Sequence, residues 1–225
     1  DRLFYPEKHM FLRHVLANCE PREGGYGNMV NCGAAMYIAP IGIVNAGNPL
    51  GAYNEAVLFA SGHQVSYGLE AAGVLAACVA KAFEPNVTVE AILQTALTYA
   101  KDGTKMAIEA VLNCVDTLSK DTHSYDEIVA ALHEAIAPYS PMGDDVHRKL
   151  EKVGLPSNHY TPSRLFSIEE LPLALAFIKL NKGAFYESIY DGINSGRDTD
   201  SIGVMAGVIL GAMYGESVIN EDDVK

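Results

Sequence analysis

The residues best suited to chemistry in this chain lie together near its C-terminal end. Asp198 and Asp200 supply two carboxylates, and Thr199 and Ser201 supply two hydroxyls, in four consecutive positions. Oxygen donors of this kind suit a hard divalent cation such as Mg²⁺, which prefers carboxylates, hydroxyls and water to imidazole or thiolate. A strongly apolar segment follows at once and carries a glycine at every fourth position from Gly203. The pattern predicts a buried helix whose rigid start holds metal ligands still.

Other structures also place two aspartates before an apolar helix. Aspartates at a helix N-terminus satisfy free backbone N–H groups and complement the helix dipole, which explains one aspartate more readily than two. An EF-hand loop requires an oxygen ligand at its fifth position, where Ile202 stands. A phosphatase-type aspartate motif would follow a hydrophobic strand, whereas the segment 191–196 is polar and turn-like. From these residues alone, helix capping and a metal site both stay open.

The rest of the chain has the periodicity of helices and no convincing alternation of period two, which predicts an all-α protein. Thr88 is a candidate N-cap, and Ser124 with Glu127 forms a capping-box pattern. Ser167 with Glu170 forms a second one, but a proline at position 172 lies too deep in it for a regular first turn. The helices predicted before that point cover residues 52–61, 67–83, 88–100, 104–118, 124–136 and 144–153. After it, the sequence predicts one helix that ends at about residue 180, a second over residues 184–193 and a third that begins at the acidic motif.

Composition and charge limit the classes of protein to which the chain can belong. With 225 residues, 49% of them hydrophobic and 20% charged, the chain is long enough for a core and is globular. Its formal net charge of −12 argues against nucleic acid as the main partner, since nucleic-acid-binding proteins need a basic surface. The four cysteines lack C-x-x-C spacing, which predicts reduced thiols in a cytoplasmic protein. We also expect no membrane span, because the apolar run from Ile202 to Met213 is shorter than the roughly 20 residues required.

Two further features have explanations that need no ligand. A glycine costs a helix about 1 kcal/mol relative to alanine, so a row of four predicts close packing of this helix against another. That row is Gly203, Gly207, Gly211 and Gly215. His63 lies at a helix break, and a lone histidine is more often a surface or satisfied core residue than a ligand. By themselves, these features favour a central buried helix and leave the role of His63 open.

Three separated elements together resemble the ADP-ribosylglycohydrolase family. The first is Gly-Arg-Asp-Thr-Asp-Ser at 196–201, followed by Gly207 and by Gly-Ala-Met-Tyr-Gly at 211–215. The second, Cys-Gly-Ala-Ala-Met-Tyr-Ile-Ala-Pro-Ile-Gly at 32–42, is similar to the family's central loop that holds ADP-ribose. The third, Gly-His at 62–63, is similar to its Thr-His element. Their order and wide separation make the resemblance far more specific than any one element, and it covers nearly the whole chain.

The resemblance implies a compact orthogonal bundle of many helices around two Mg²⁺ ions, or Mn²⁺ in their place. Family members hydrolyse the bond between ADP-ribose and a protein side chain or another ribose. The implied reaction has a metal-bound water attacking the anomeric carbon through an oxocarbenium-like state. Asp198 and Asp200 are the implied catalytic residues because their charge holds the cations, with Ser201 as a further metal ligand. The residues implied to line the ADP-ribose pocket are Asn31, Cys32, Gly33, Ala34, Met36 and His63.

The chain also departs from the family pattern. Cys32 stands where many members have asparagine, and Tyr37 stands where many have arginine. Ser201 replaces the commoner threonine and keeps the hydroxyl. The family's N-terminal Gly-Asp motif and its Thr-Asp-Asp metal ligands have no counterpart in the sequence. We therefore expect one all-α domain over residues 1–225 that forms the central and C-terminal part of a longer domain.

Two rival functions stand beside hydrolysis of an ADP-ribosyl bond. An inactive relative, such as a crystallin-like or ADP-ribose-binding protein, is consistent with the changes at Cys32 and Tyr37. An N-glycosidase for another ribosyl compound could use the same metal-held ribose. The sequence does not decide the linkage that is cut, the preferred metal or the oligomeric state.

Overall fold

The computed structural model describes residues 5–28, 30–139 and 167–223. Within them the chain forms helices and turns and no strand, which confirms the predicted all-α class. The α-helices are α1 Tyr5–Phe11, α2 Ala39–Val44, α3 Pro49–Ala60, α4 Tyr67–Ala82, α5 Val89–Tyr99, α6 Asp102–Asp116, α7 Tyr125–Ile136, α8 Ser167–Leu180, α9 Phe185–Asn194 and α10 Thr199–Tyr214. A π-helical segment, Leu12–Leu16, continues α1, and a short 3₁₀ turn, Ala35–Tyr37, precedes α2.

Helix α4 forms the centre of the bundle. Twelve of its sixteen residues are buried, and six of these are alanines, so that α2, α3, α5, α8 and α10 all pack around it. At Gly73 an added Cβ would lie 2.8 Å from the ring of Tyr53 on α3, which shows how closely these two helices approach. Helix α8 supplies large side chains that fill the space beside the alanines. Its fully buried large residues are Ile168, Leu171, Leu173, Leu175, Phe177 and Ile178.

Side-chain caps explain where several helices begin. The Thr88 hydroxyl accepts a hydrogen bond from a backbone N–H in the first turn of α5, at 3.1 Å. Ser124 and Glu127 form a reciprocal capping box at the start of α7, which confirms both predicted caps. Helix α3 begins at Pro49, three residues earlier than predicted. Asn48 caps it there, and proline is well suited to a first helical position.

Helix α8 begins at Ser167, so Pro172 lies inside the helix rather than at its start. A proline has no backbone N–H and removes one helical hydrogen bond, and the tightly packed core around α8 compensates for that loss. Glu170 does not complete the predicted capping box, because neither of its side-chain oxygens has a hydrogen-bond partner within residues 5–28, 30–139 and 167–223. The helix predicted over residues 144–153 lies outside the described residues.

Helix α10 packs against α4, α8 and α9, as predicted for a central helix. At Gly203 an added Cβ would lie 2.9 Å from the side chain of Ile193 on α9, so the first glycine of the row allows close packing. Gly211 has no atom within 4 Å of that position, and Gly215 ends the helix with a φ of +67°. The first glycine of the row therefore allows close helix packing, and the last one allows the helix to end.

Within the described ranges, one helical segment is long and apolar enough to cross a membrane by length and composition. It is Thr199–Val218, with a mean hydropathy of 1.4, and it is longer than the apolar run estimated from the sequence. Core helices of soluble proteins meet the same criterion, and 39% of the apolar 18-residue window in this segment is buried inside the protein. Because its buried face contacts three other helices, we assign it to the core of the bundle.

The contact between α2 and α4 gives a test of close helix packing. At Gly42 an added Cβ would lie 2.7 Å from Val79 Cβ and 2.8 Å from the Ala76 carbonyl oxygen. Gly42→Ala should therefore lower the free energy of unfolding by about 1–3 kcal/mol, since the backbone of α4 cannot easily move away. Gly211→Ala is the matched control and should raise the free energy of unfolding by up to about 1 kcal/mol, because alanine favours a helix more than glycine does. Urea denaturation measures both, and equal effects would contradict the packing described.

Candidate functional site

Three segments that are far apart in the sequence meet at the start of α10. One oxygen of Asp198, one oxygen of Glu170 and the Sγ atom of Cys32 all lie within 4.8 Å of one another. The Cys32 thiol donates a hydrogen bond to Asp198 Oδ2 at 3.1 Å. The Ser201 hydroxyl donates to Cys32 Sγ at 3.3 Å. We call these four residues the acid–thiol cluster.

Asp198 occupies the N-cap position of α10, but its side chain does not cap the helix. It accepts the thiol hydrogen bond of Cys32 instead of one from the first helical turn. Burial raises the pKa of the Asp198 carboxyl, and the neighbouring Asp200 raises it further. Asp200 itself is exposed in the first turn of α10. A carboxylate turned away from the helix N–H groups favours ligand binding over the capping alternative.

Glu170 is the member of the cluster that sequence reasoning missed. Its side chain is 1% exposed, and neither carboxylate oxygen has a hydrogen-bond partner among the described residues. Burial raises the pKa of Glu170 well above its ordinary value, and the charges of Asp198 and Glu169 add to the rise. A buried polar group without a partner costs about 1–3 kcal/mol, and more when it is charged. The available signal was a pair of glutamates directly before the apolar run 171–178, a pattern that helix capping explains equally well.

A buried ion pair fixes the start of α10 against α8. Arg197 Nε and Nη2 donate to the two carboxylate oxygens of Glu169 at 2.6 and 2.7 Å. The two side chains are 7% and 4% exposed. Gly196 and Arg197 both have positive φ angles, +83° and +64°, which a non-glycine residue adopts only at an energetic cost. Since Glu170 follows Glu169 on α8 and Asp198 follows Arg197 in the turn, the ion pair also holds the two cluster carboxylates together.

The loop predicted to hold ADP-ribose is anchored to the segment before α4 by its asparagine. Asn31 Oδ1 accepts hydrogen bonds from the Gly33 N–H at 2.9 Å and from Gln64 Nε2 at 2.5 Å. An added Cβ at Gly33 would lie 2.8 Å from Asn31 Oδ1, so a side chain there would disturb this anchor. Ala34 is fully buried and Met36 is exposed. Ala34 could therefore contact a ligand only through its backbone, whereas the Met36 side chain is accessible.

His63 lies in the turn between α3 and α4 and stacks on Tyr37, with ring centroids 5.2 Å apart. The Tyr37 hydroxyl and His63 Nε2 are also hydrogen-bonded. Burial lowers the pKa of His63 to about 4, and the charge of His14 contributes to the decrease. At neutral pH the side chain is therefore a neutral imidazole. It can stack and hydrogen-bond but does not add positive charge for a phosphate group.

Apart from Asp200, which is exposed and lies outside the acid–thiol cluster, the predicted site residues fall into two neighbouring groups. Asp198 and Ser201 belong to the acid–thiol cluster, as does Cys32, which the resemblance assigned to the ADP-ribose pocket. Met36 joins the two groups, because the Ser201 hydroxyl lies 3.6 Å from its Sδ atom. The second group is the anchored loop with the stacked rings beside it, and its predicted members are Asn31, Gly33, Ala34, Met36 and His63.

The ion pair can be tested by removing one or both charges. Arg197→Met leaves the buried charge of Glu169 without its guanidinium and should lower the free energy of unfolding by about 3–5 kcal/mol. Adding Glu169→Leu removes the second charge and should recover most of that loss. Guanidinium denaturation of the single and double variants measures the difference. If the double variant is as unstable as Arg197→Met, the pair does not account for the effect.

The lowered pKa of His63 predicts an acid-dependent loss of stability. Its ordinary value is 6.5, so as the pH falls the unfolded chain binds a proton at this residue before the folded protein does. The resulting loss of stability is absent when the pH is above the ordinary pKa of His63. It grows as the pH falls towards the pKa of about 4 that His63 has in the folded protein. His63→Gln removes this residue's contribution, so its melting temperature should fall less between about pH 7.5 and about pH 4.5. Parallel decreases in the two proteins would contradict the prediction.

Comparison with known proteins assigns the chain to a family. A family model for ADP-ribosylglycohydrolase matches residues 7–224, nearly the whole chain. No curated protein and no solved structure gives a significant match. The family acts on ADP-ribosylated substrates and is generally metal-dependent, and the described residues include a group that could hold a metal ion. The resemblance drawn from the three sequence elements is confirmed, and the chain belongs to the ADP-ribosylglycohydrolase family.

Proposed function

We propose that the protein hydrolyses the bond between ADP-ribose and a modified protein side chain, or a related ADP-ribosyl compound, and requires a divalent cation. Family membership supports the class of reaction. The observation that carries the proposal is the buried carboxylate of Glu170, which faces Asp198 and Cys32 and has no hydrogen-bond partner among the residues that the structure describes. Packing alone does not explain why the chain would bring Cys32 and Asp198, which are 166 residues apart, together beside this carboxylate.

The donors at the start of α10 fit a divalent cation. Asp198 and Glu170, of which the sequence predicted only Asp198, provide carboxylates within the cluster. Ser201 places a hydroxyl beside them, and Asp200 would add an exposed carboxylate from the first turn of α10. The mutual repulsion of Asp198 and Glu170 in a buried site is the condition that a double positive charge relieves. When bound, a divalent cation would orient ribose hydroxyls and lower the pKa of a water molecule.

The neighbouring loop has the features of a nucleotide-binding surface. Asn31 holds the backbone at Gly33 in place, and the exposed ring of Tyr37 offers an aromatic face on which a base could stack. His63 supports that ring as a neutral group. In the proposed reaction the oxygen of a water molecule bonds to the anomeric carbon while the bond to the leaving nitrogen or oxygen breaks. The leaving group takes up a proton, and ADP-ribose is released.

The test is release of free ADP-ribose from peptides ADP-ribosylated on arginine or on serine, measured by mass spectrometry after chelator treatment and addition of single metals. Asp198→Asn and Asp200→Asn should lower the rate by at least about 100-fold, since loss of groups that merely support metal ligands already costs 10–100-fold. Glu109→Gln is the matched control, because Glu109 is an exposed carboxylate on α6. Its rate should equal that of the wild type.

Other results would favour the rival functions. Cleavage of simple ribosyl compounds but not of ADP-ribosylated peptides would identify an N-glycosidase of different specificity. Calorimetric binding of ADP-ribose with no cleavage of any substrate would identify an inactive binding protein. Equal activity in Asp200→Asn and the wild type would end the proposal that this motif holds the catalytic cation.

We also propose that the protein works in the cytoplasm. All four cysteines are free thiols, and Cys32 is buried as part of the acid–thiol cluster. A reducing compartment keeps such thiols free. Cell fractionation with an antibody to the protein tests this location.

A further inference from the structure

The acid–thiol cluster includes one sulfur donor atom, and a second sulfur atom lies next to the cluster. The Cys32 Sγ atom lies within 4.8 Å of a carboxylate oxygen from Asp198 and of one from Glu170. The Ser201 hydroxyl lies 3.3 Å from that sulfur and 3.6 Å from the Sδ atom of Met36. The cluster therefore combines a soft sulfur donor with hard oxygen donors, whereas the sequence motif at 198–201 contains only oxygen donors.

Two independent observations point to a cation at this sulfur atom. Glu170 is 1% exposed, and in the described part of the chain its carboxylate oxygens have no hydrogen-bond partner. Asp198 stands at a helix N-cap but contacts the Cys32 thiol at 3.1 Å instead of the helix N–H groups. Donor atoms about 2.0–2.3 Å from a single zinc ion lie within about 4 Å of one another, which is close to the spacing in the cluster.

We infer that Cys32 is a ligand of the cation and that Cys32, Asp198 and Glu170 together make this site prefer a zinc-like ion to Mg²⁺. Thiolate sulfur binds zinc strongly, whereas Mg²⁺ takes oxygen ligands almost exclusively. Three protein ligands that leave a further position open are the usual arrangement of a catalytic zinc site. On binding, the ion replaces the thiol proton, which passes to solvent. The inference rests on the proposed function only in that both place a cation at Asp198.

Cobalt(II) is the appropriate probe, since it replaces zinc and gives a near-ultraviolet charge-transfer band when bound to thiolate but not when bound to oxygen alone. The full chain, freed of metal by a chelator, is titrated with Co²⁺ under anaerobic conditions. We expect a saturable band that Zn²⁺ abolishes and that a large excess of Mg²⁺ leaves unchanged. Cys32→Ser should lose the band and bind Zn²⁺ at least about tenfold more weakly. Cys114→Ser is the matched control and should keep the band, because Cys114 lies on α6 outside the cluster.

The experiment separates this inference from the proposed function. A Cys32-dependent band in a protein that cleaves no ADP-ribosyl substrate would support the metal assignment and contradict the activity. Cleavage supported by Mg²⁺ together with no charge-transfer band in the wild type would overturn the inference and leave the activity intact. If Cys32→Ser fails to fold, the wild-type competition between Zn²⁺ and Mg²⁺ decides, and preference for Mg²⁺ overturns the inference. Glu170→Gln provides a second variant, which should also weaken Co²⁺ binding.

Discussion

The buried ion pair between Glu169 and Arg197 is the constraint on which the site depends. Breaking such a pair is costly, although the intact pair contributes little net stability compared with apolar side chains of similar size. Its role here is to fix the positions of neighbouring residues. It holds Arg197 in a left-handed conformation at the start of α10 and joins that turn to α8. The next residue on each side, Glu170 and Asp198, is thereby placed in the acid–thiol cluster.

The helical core provides a rigid support for this cluster. The alanines of α4 let five helices pack closely around it, and α10 reaches α9 without an intervening side chain at Gly203. Helices packed this closely move little relative to one another, so ligands at their ends keep their spacing. The loop with Cys32 is fastened separately, through the hydrogen bonds of Asn31 and Gln64. A catalytic or binding site benefits from this arrangement, since small displacements of its ligands weaken it greatly.

Sequence alone predicted the local features of this fold well and its long-range contacts poorly. The caps at Thr88 and Ser124 and the course of α4 follow from short-range chemistry, and the structure has them as predicted. Glu170 was missed because an acidic residue early in a helix is a common cap, and only the tertiary contact with Asp198 reveals its burial. Cys32 was assigned to a ligand pocket by its motif. Its sulfur could be placed beside two carboxylates only after three distant segments were brought together.

Several departures from local structural preference coincide at the start of α10. The other described non-glycine residues with positive φ angles all lie close to helix ends; they are Asn18, Ser66, Asn86, Asp102 and Lys182. The start of α10 combines a left-handed arginine with an aspartate that does not cap its helix. Glu170 beside them is buried with no hydrogen-bond partner in the part of the chain that the structure describes. Each feature is unfavourable for folding, and none is explained by packing. Such features are expected together at a ligand-binding site, because the bound ligand offsets the free-energy cost of the unfavourable local conformations.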